Sequence, residues 1–134
     1  MKREIKFRGM GIVDMHKWFT GHYTDGETGY HYITRPEGYV WQVIPKTVGE
    51  FTGLKDKNGV DIYEGDIVKG KEGRYEGIRI KGWDSYQIGK VIMCVNTGSW
   101  QYTVNNQPHQ LLCYLQEVEV IGNIYQNPEL LTTK

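Results

Sequence analysis

The chain has 134 residues, and its 16 lysines and arginines are balanced by 16 aspartates and glutamates; that size suits one domain or at most two small lobes. Zero formal net charge argues against a dedicated nucleic-acid protein, whose domains are usually strongly basic. No apolar run approaches the roughly 20 residues a spanning helix requires, so no membrane partner is expected.

Composition favours strands. There are 12 isoleucines, 11 valines, 10 threonines and 10 tyrosines, all types that fit a pleated surface. Alanine, the best helix former, is absent, while the 17 glycines far exceed an average usage of about 7%. A mainly β fold with minor helix is expected, rich in tight turns and bulges.

Taken in chain order, the first signal is the alternation over Glu4–Arg8, which puts Ile5 and Phe7 on one side of a predicted strand. The same alternation of charge with apolar residues from Met1 leaves no signal-peptide core there, so a cytoplasmic protein is expected. Gly21 to Gly29 predicts an exposed loop. Tyr39–Ile44 is apolar on both faces and predicts a strand that Pro45 ends; Pro45-Lys46 is the candidate seam between lobes 1–46 and 47–134 of a single domain. Asp56-Lys-Asn-Gly59 is the clearest hairpin turn, because Asn-Gly supplies positive φ readily. Gly65-Asp-Ile-Val68 followed by Gly89-Lys-Val-Ile92 resembles the bent strands of a small SH3-like barrel, expected over the C-terminal two-thirds. Ile78–Lys81, Trp100–Val104 and Glu117–Val120 alternate as half-buried strands, and Val91–Val95 reads as a strand covered on both faces. Asn105–Pro108 predicts a loop, and His109–Gln116 predicts two helical turns at most. Asn127-Pro-Glu-Leu130 predicts a short terminal helix with asparagine as N-cap and proline in the first turn.

No residue pattern commits the chain to catalysis. Asp56, Asp61, Glu64 and Asp66 cluster in sequence, but their spacing does not fit a calcium loop and they read as turn carboxylates. His16, His22, His31 and His109 are scattered without metal-ligand spacing. Only Ser85 and Ser99 are present, neither in a nucleophile elbow, and no phosphate-cradling loop carries a lysine. Cys94 and Cys113 sit in apolar runs and read as buried thiols of a reducing compartment; sequence leaves open whether they lie close together. No cofactor or metal is expected.

Two segments invite binding. From Lys69 to Lys90, six cations (Lys69, Lys71, Arg74, Arg79, Lys81 and Lys90) face three acids, and Tyr75, Trp83 and Tyr86 are interleaved, so bases could stack there; a solvated hairpin would look the same. Tyr23, Tyr30, Tyr32, Tyr39 and Trp41 crowd the N-terminal region, and Tyr and Trp are types that protein interfaces favour; the plainer account is that they fill a thin core.

The segment Thr47–Lys69 (TVGEFTGLKDKNGVDIYEGDIVK) resembles the YopX family of phage and prophage proteins. Arg3–Arg8 (REIKFR) is similar to the family's opening and Glu119–Leu131 (EVIGNIYQNPELL) to its close, so the three blocks span the chain in the family's order. Where the family commonly continues Ala-Trp-Asp, this chain has Gly9-Met10-Gly11. The resemblance implies a phage- or prophage-encoded protein working in the host cytoplasm and implies no established activity, catalytic residue or cofactor. The expectation is a non-enzymatic protein that binds a host or phage macromolecule, or itself as a homo-oligomer. The alternatives are a nucleic-acid-binding small barrel and, behind that, a metal-dependent enzyme.

Overall fold

Strands carry the chain, as its β-branched and aromatic content requires. The computed structural model describes residues 4–14, 17–26, 29–76, 79–104 and 107–132, with the backbone alone for 73–76, 79–81, 83–85, 110 and 113. Its strands are β1 (Phe7–Met10), β2 (Trp18–Asp25), β3 (His31–Thr34), β4 (Val40–Val43), β5 (Gly49–Lys55), β6 (Asp61–Tyr63), β7 (Asp66–Glu76), β8 (Arg79–Cys94), β9 (Ser99–Val104), β10 (Gln107–Leu111) and β11 (Gln116–Asn123). They form two antiparallel sheets, ordered β4-β3-β2-β1-β5-β6 and β10-β9-β8-β7-β11. The chain divides into two compact units, Met1–Gly53 and Leu54–Lys134.

In the first unit β1 to β4 form a meander, with Phe7 opposite Gly21, Tyr23 opposite Ile33 and Ile33 opposite Trp41. Alternation puts the odd-numbered residues of these strands on one face, where Phe19, Ile33 and Val43 are buried among Phe7, Tyr23, Trp41 and Val48. The meander curls until the end of β1 reaches β4: Gly11 bridges Val43, the Ile12 N–H donates to the Gln42 carbonyl (3.0 Å) and the Ile44 N–H to the Met10 carbonyl (2.9 Å). Glycines permit the curl, since a Cβ on Gly9 would stand 2.9 Å from the Val43 side chain. Thr47, in the 3-10 turn Pro45–Thr47, pins the corner by accepting the Met10 N–H (2.9 Å) and donating to the Ile44 carbonyl (2.6 Å). Of the loop expected from Gly21 to Gly29, residues 21–25 are instead strand, because β2 runs on to Asp25.

In the second unit the turn at Asp56–Gly59 forms as expected and joins the end of β5 to β6, with Gly59 at φ +82°. Buried Ile62, Val68, Val91, Tyr102, Leu112 and Leu115 make the core. The sheet stays open among the described residues, so the expected SH3-like closure is corrected. The reason is length: β7 and β8, of 11 and 16 residues, pair out to Glu76 and Arg79 as a long ribbon, and residues spent on a ribbon do not supply the short bent strand that would close a barrel. The helical turns expected from His109 are corrected too. Gln107–Leu111 pairs with β9, and only Leu112–Tyr114 turns, as 3-10. Pro128–Leu131 is likewise a 3-10 turn; Asn127 precedes it, but its side chain accepts the Asn123 N–H (3.2 Å) instead of capping.

Candidate binding surfaces

The five N-terminal aromatics do not gather on one surface. Tyr23 and Trp41 lie on the odd face, half-buried against the first unit's core. Tyr32, opposite Gln42, points to the other face, and Tyr30 lies exposed just before β3. Tyr39 leads into β4 and stacks on Trp41 (centroids 5.8 Å apart), which stacks on Phe19 (4.4 Å, 16° between planes). Cations border this three-ring stack, with Lys17 over Phe19 at 5.8 Å and Arg35 over Trp41 at 5.5 Å. Beside it opens a groove of about 380 Å³ lined by β4 and by Gly11, Val13, Asp14 and Lys17. Two apolar residues of its lining stand exposed, Val13 at 97% and Val40 at 56%. Phe19 is the member that sequence reasoning missed, since its contribution depends on the curl that brings β2 and β4 together.

On the same unit the Tyr23 hydroxyl and His31 Nδ1 are hydrogen-bonded, and His31 Nε2 lies 3.8 Å from Asp25. Burial first, then the Asp25 charge, push the Tyr23 phenol above its ordinary range.

Of the basic segment, the structure brings Lys69 and Lys71 together. Their ammonium groups lie 4.9 and 5.5 Å from the Tyr86 ring centroid. Acids meet them there: Lys71 pairs with Glu117 at 3.2 Å, and the Tyr86 hydroxyl lies 3.4 Å from the same carboxylate. Glu117 adopts φ +53° at a bulge in β11. Lys90 sits two strand positions from Ile88, its backbone N–H donating to Thr103 Oγ1 (3.2 Å). The side chains of Arg74, Arg79, Lys81 and Trp83 lie outside the described residues.

A further polar cluster carries no local sequence signal. Glu72 on β7 accepts the Tyr102 hydroxyl from β9 and meets His109 Nε2 from β10, so one carboxylate ties three strands of the second sheet. Burial first, then the Glu72 hydrogen bond and charge, push the Tyr102 phenol well above its ordinary range.

Two of the clustered acids, Asp56 and Asp66, accept from backbone. Asp56 Oδ1 accepts the N–H groups of Asn58 (2.8 Å) and Val60 (2.9 Å), and Oδ2 that of Val120 (3.0 Å). Asp66 accepts the Tyr63 N–H (2.8 Å), and Asp61 pairs with Lys55. Among the described residues no three His, Cys, Asp or Glu side chains gather to hold a metal ion, and no helix is long and apolar enough to cross a membrane. Cys94 is a free thiol, which the Thr97 hydroxyl and backbone and the Asn96 N–H hold below its ordinary range. His16 and the Cys113 side chain lie outside the described residues.

Two β units with stacked aromatics, and carboxylates that serve their own backbone, define a small antiparallel β protein built around turns. The family model described as YopX protein matches residues 3–132, and the chain belongs to the YopX family. A crystal structure of protein EF1440 from Enterococcus faecalis is similar, with a TM-score of 0.53 and 21% identity over 97% of this chain and 99% of that one; at that identity the likeness is one of fold. No curated protein matches.

Proposed function

We propose that this chain is a non-enzymatic binding protein, phage- or prophage-encoded and acting in the host cytoplasm. It works by contact with another protein or a second copy, through the first unit's groove. The observation that carries this reading is the exposure of Val13 and Val40 in the lining of a groove that Phe19 and Trp41 also line. Exposed apolar groups around an aromatic stack lose little by desolvation and gain on being covered. The chain's zero net charge also removes the repulsion that keeps many domains apart.

Lys69 and Lys71 over Tyr86 favour the nucleic-acid alternative. The Glu117 carboxylate beside them makes it the weaker reading, because phosphate binding would first have to break that pair.

The test is a photo-crosslinker at position 39 in host cells, with light scattering of the purified chain. A discrete crosslinked product or dimer that Val13→Asp removes supports the reading. A strict monomer at high concentration with no product overturns it.

A further inference from the structure

Beside the groove, the chain's own residues already occupy the outer edge of β4. The Ile12 N–H donates to the Gln42 carbonyl and the Ile44 N–H to the Met10 carbonyl, so what the groove offers a partner is side chains. Val13 stands almost wholly in solvent, and Phe19, Val40 and Trp41 line the recess next to it. A projecting apolar side chain beside an apolar recess is one half of a two-fold contact, because a dyad sets each copy's projection against the other's recess. The charges of the lining have the same self-matching form. They are one acid, Asp14, and one cation, Lys17, at the two ends of a turn closed by the Lys17 N–H on the Asp14 carbonyl (3.1 Å). Two such turns facing each other across a dyad run antiparallel, and each Asp14 then meets the other copy's Lys17. Lys17 also lies over the Phe19 ring at 5.8 Å, which puts the ion pairs at the border of the apolar contact.

Resting on the protein-contact reading above, we propose that the groove's occupant is a second copy of this chain, held as a two-fold dimer by reciprocal contacts of Val13 with Val40 and Trp41 and by two Asp14–Lys17 ion pairs. Exposed ion pairs add little affinity singly. Here they set the register and disfavour unrelated partners, while the valines, each covered twice by symmetry, supply the attraction. The balance of 16 cations and 16 acids over the whole chain leaves no net repulsion between copies. A closed two-fold contact uses both copies of the patch, so assembly stops at two.

The test has two arms, both on the full-length chain. In the first, ordinary and isotope-labelled copies are mixed and treated with a carbodiimide, which joins a carboxylate to an amine in contact with it, and the digest is read by mass spectrometry. The expected product is an Asp14–Lys17 link between one ordinary and one labelled peptide. This arm uses the unaltered chain, so it decides the matter even where a variant fails to fold. The second arm is sedimentation velocity over a concentration series. Asp14→Lys and Lys17→Asp each set like charges opposite one another twice and are expected to weaken dimerisation about tenfold. An equimolar mixture of the two variants regains the parent's affinity as a heterodimer, because both opposite-charge pairs are restored. A parent chain that stays monomeric, the absence of the mixed-isotope link, or folded variants that stay apart when mixed overturns the dimer. A position-39 crosslink to a different host protein under any of those results leaves the protein-contact reading standing, and its absence removes both.

Discussion

Asp56 shows how one side chain converts a sequence motif into structure. Its two oxygens take three backbone N–H groups, two from its own turn and one from Val120, 64 positions along the chain. Burial on its own would raise the carboxyl's pKa; the Val120, Val60 and Asn58 N–H groups and the Lys57 charge outweigh that and hold it below the ordinary carboxylate range. A folded pKa below the unfolded one means that the unfolded chain takes up the proton first as acid is added. The stabilisation is therefore complete above the unfolded value of about 4 and is lost as pH falls through the lower folded value. Asp56→Ala leaves buried N–H groups without their acceptor and is expected to cost about 3 kcal/mol at pH 7. Urea unfolding at pH 7 and near pH 3 checks this, the gap between variant and parent narrowing in acid. Gly89 makes a second residue-scale case, because a Cβ there would lie 1.9 Å from the Thr103 carbonyl oxygen on the paired strand. Backbone cannot yield that far without parting β8 from β9. Gly89→Ala is expected to destabilise by more than about 2 kcal/mol in the same assay, and an unchanged midpoint would refute the close approach.

Among the elements, those whose signal is local were legible in the sequence. The Asn58-Gly59 turn and the presence of strands at β9 and β11 each follow from their own residues, whereas the strand expected to be covered on both faces over Val91–Val95 ends at Cys94, with Val95 87% exposed. What the sequence did not disclose depends on curvature. Phe19 joins the aromatic stack only because β1 bends back to β4, and Glu72 meets His109 only because a β10 side chain reaches one on β7, with β9 and β8 between them in the strand order. The resemblance to SH3-like barrels failed for a related reason, since glycine spacing reports where strands can bend and not how long they run. Tyr102→Phe tests the Glu72 cluster as a property of elements. It removes one donor from a carboxylate that is 13% exposed and is expected to cost about 1 kcal/mol. Amide exchange should quicken first in β10, which the cluster ties down, and later in the β7–β8 ladder. Unaltered β10 protection would show that the cluster holds nothing in place.

At the scale of the whole molecule, charge bears on the nucleic-acid alternative. Sixteen cations and sixteen acids leave no long-range field to draw in a polyanion, and the described basic face brings its own counter-charges. Lys71 meets Glu117 at 3.2 Å, and Lys57 meets Glu119 at 3.7 Å on the same strand, β11. Tyr86 carries two lysines over its ring, so a base could stack there only by displacing them, which forfeits the contacts that make the face attractive. Nucleic-acid affinity grows with the number of phosphates neutralised, and its salt slope counts them. Among the described lysines of this face Lys71 already holds a carboxylate, so single- and double-stranded DNA and RNA columns are expected to release the protein by about 100 mM salt, with a slope below about 1. Glu117→Gln frees Lys71 and is expected to raise retention modestly while leaving the first unit's groove untouched. Retention of the parent chain at 200 mM salt, with a slope of about 3 or more, would return the contact surface to the β7–β8 ribbon.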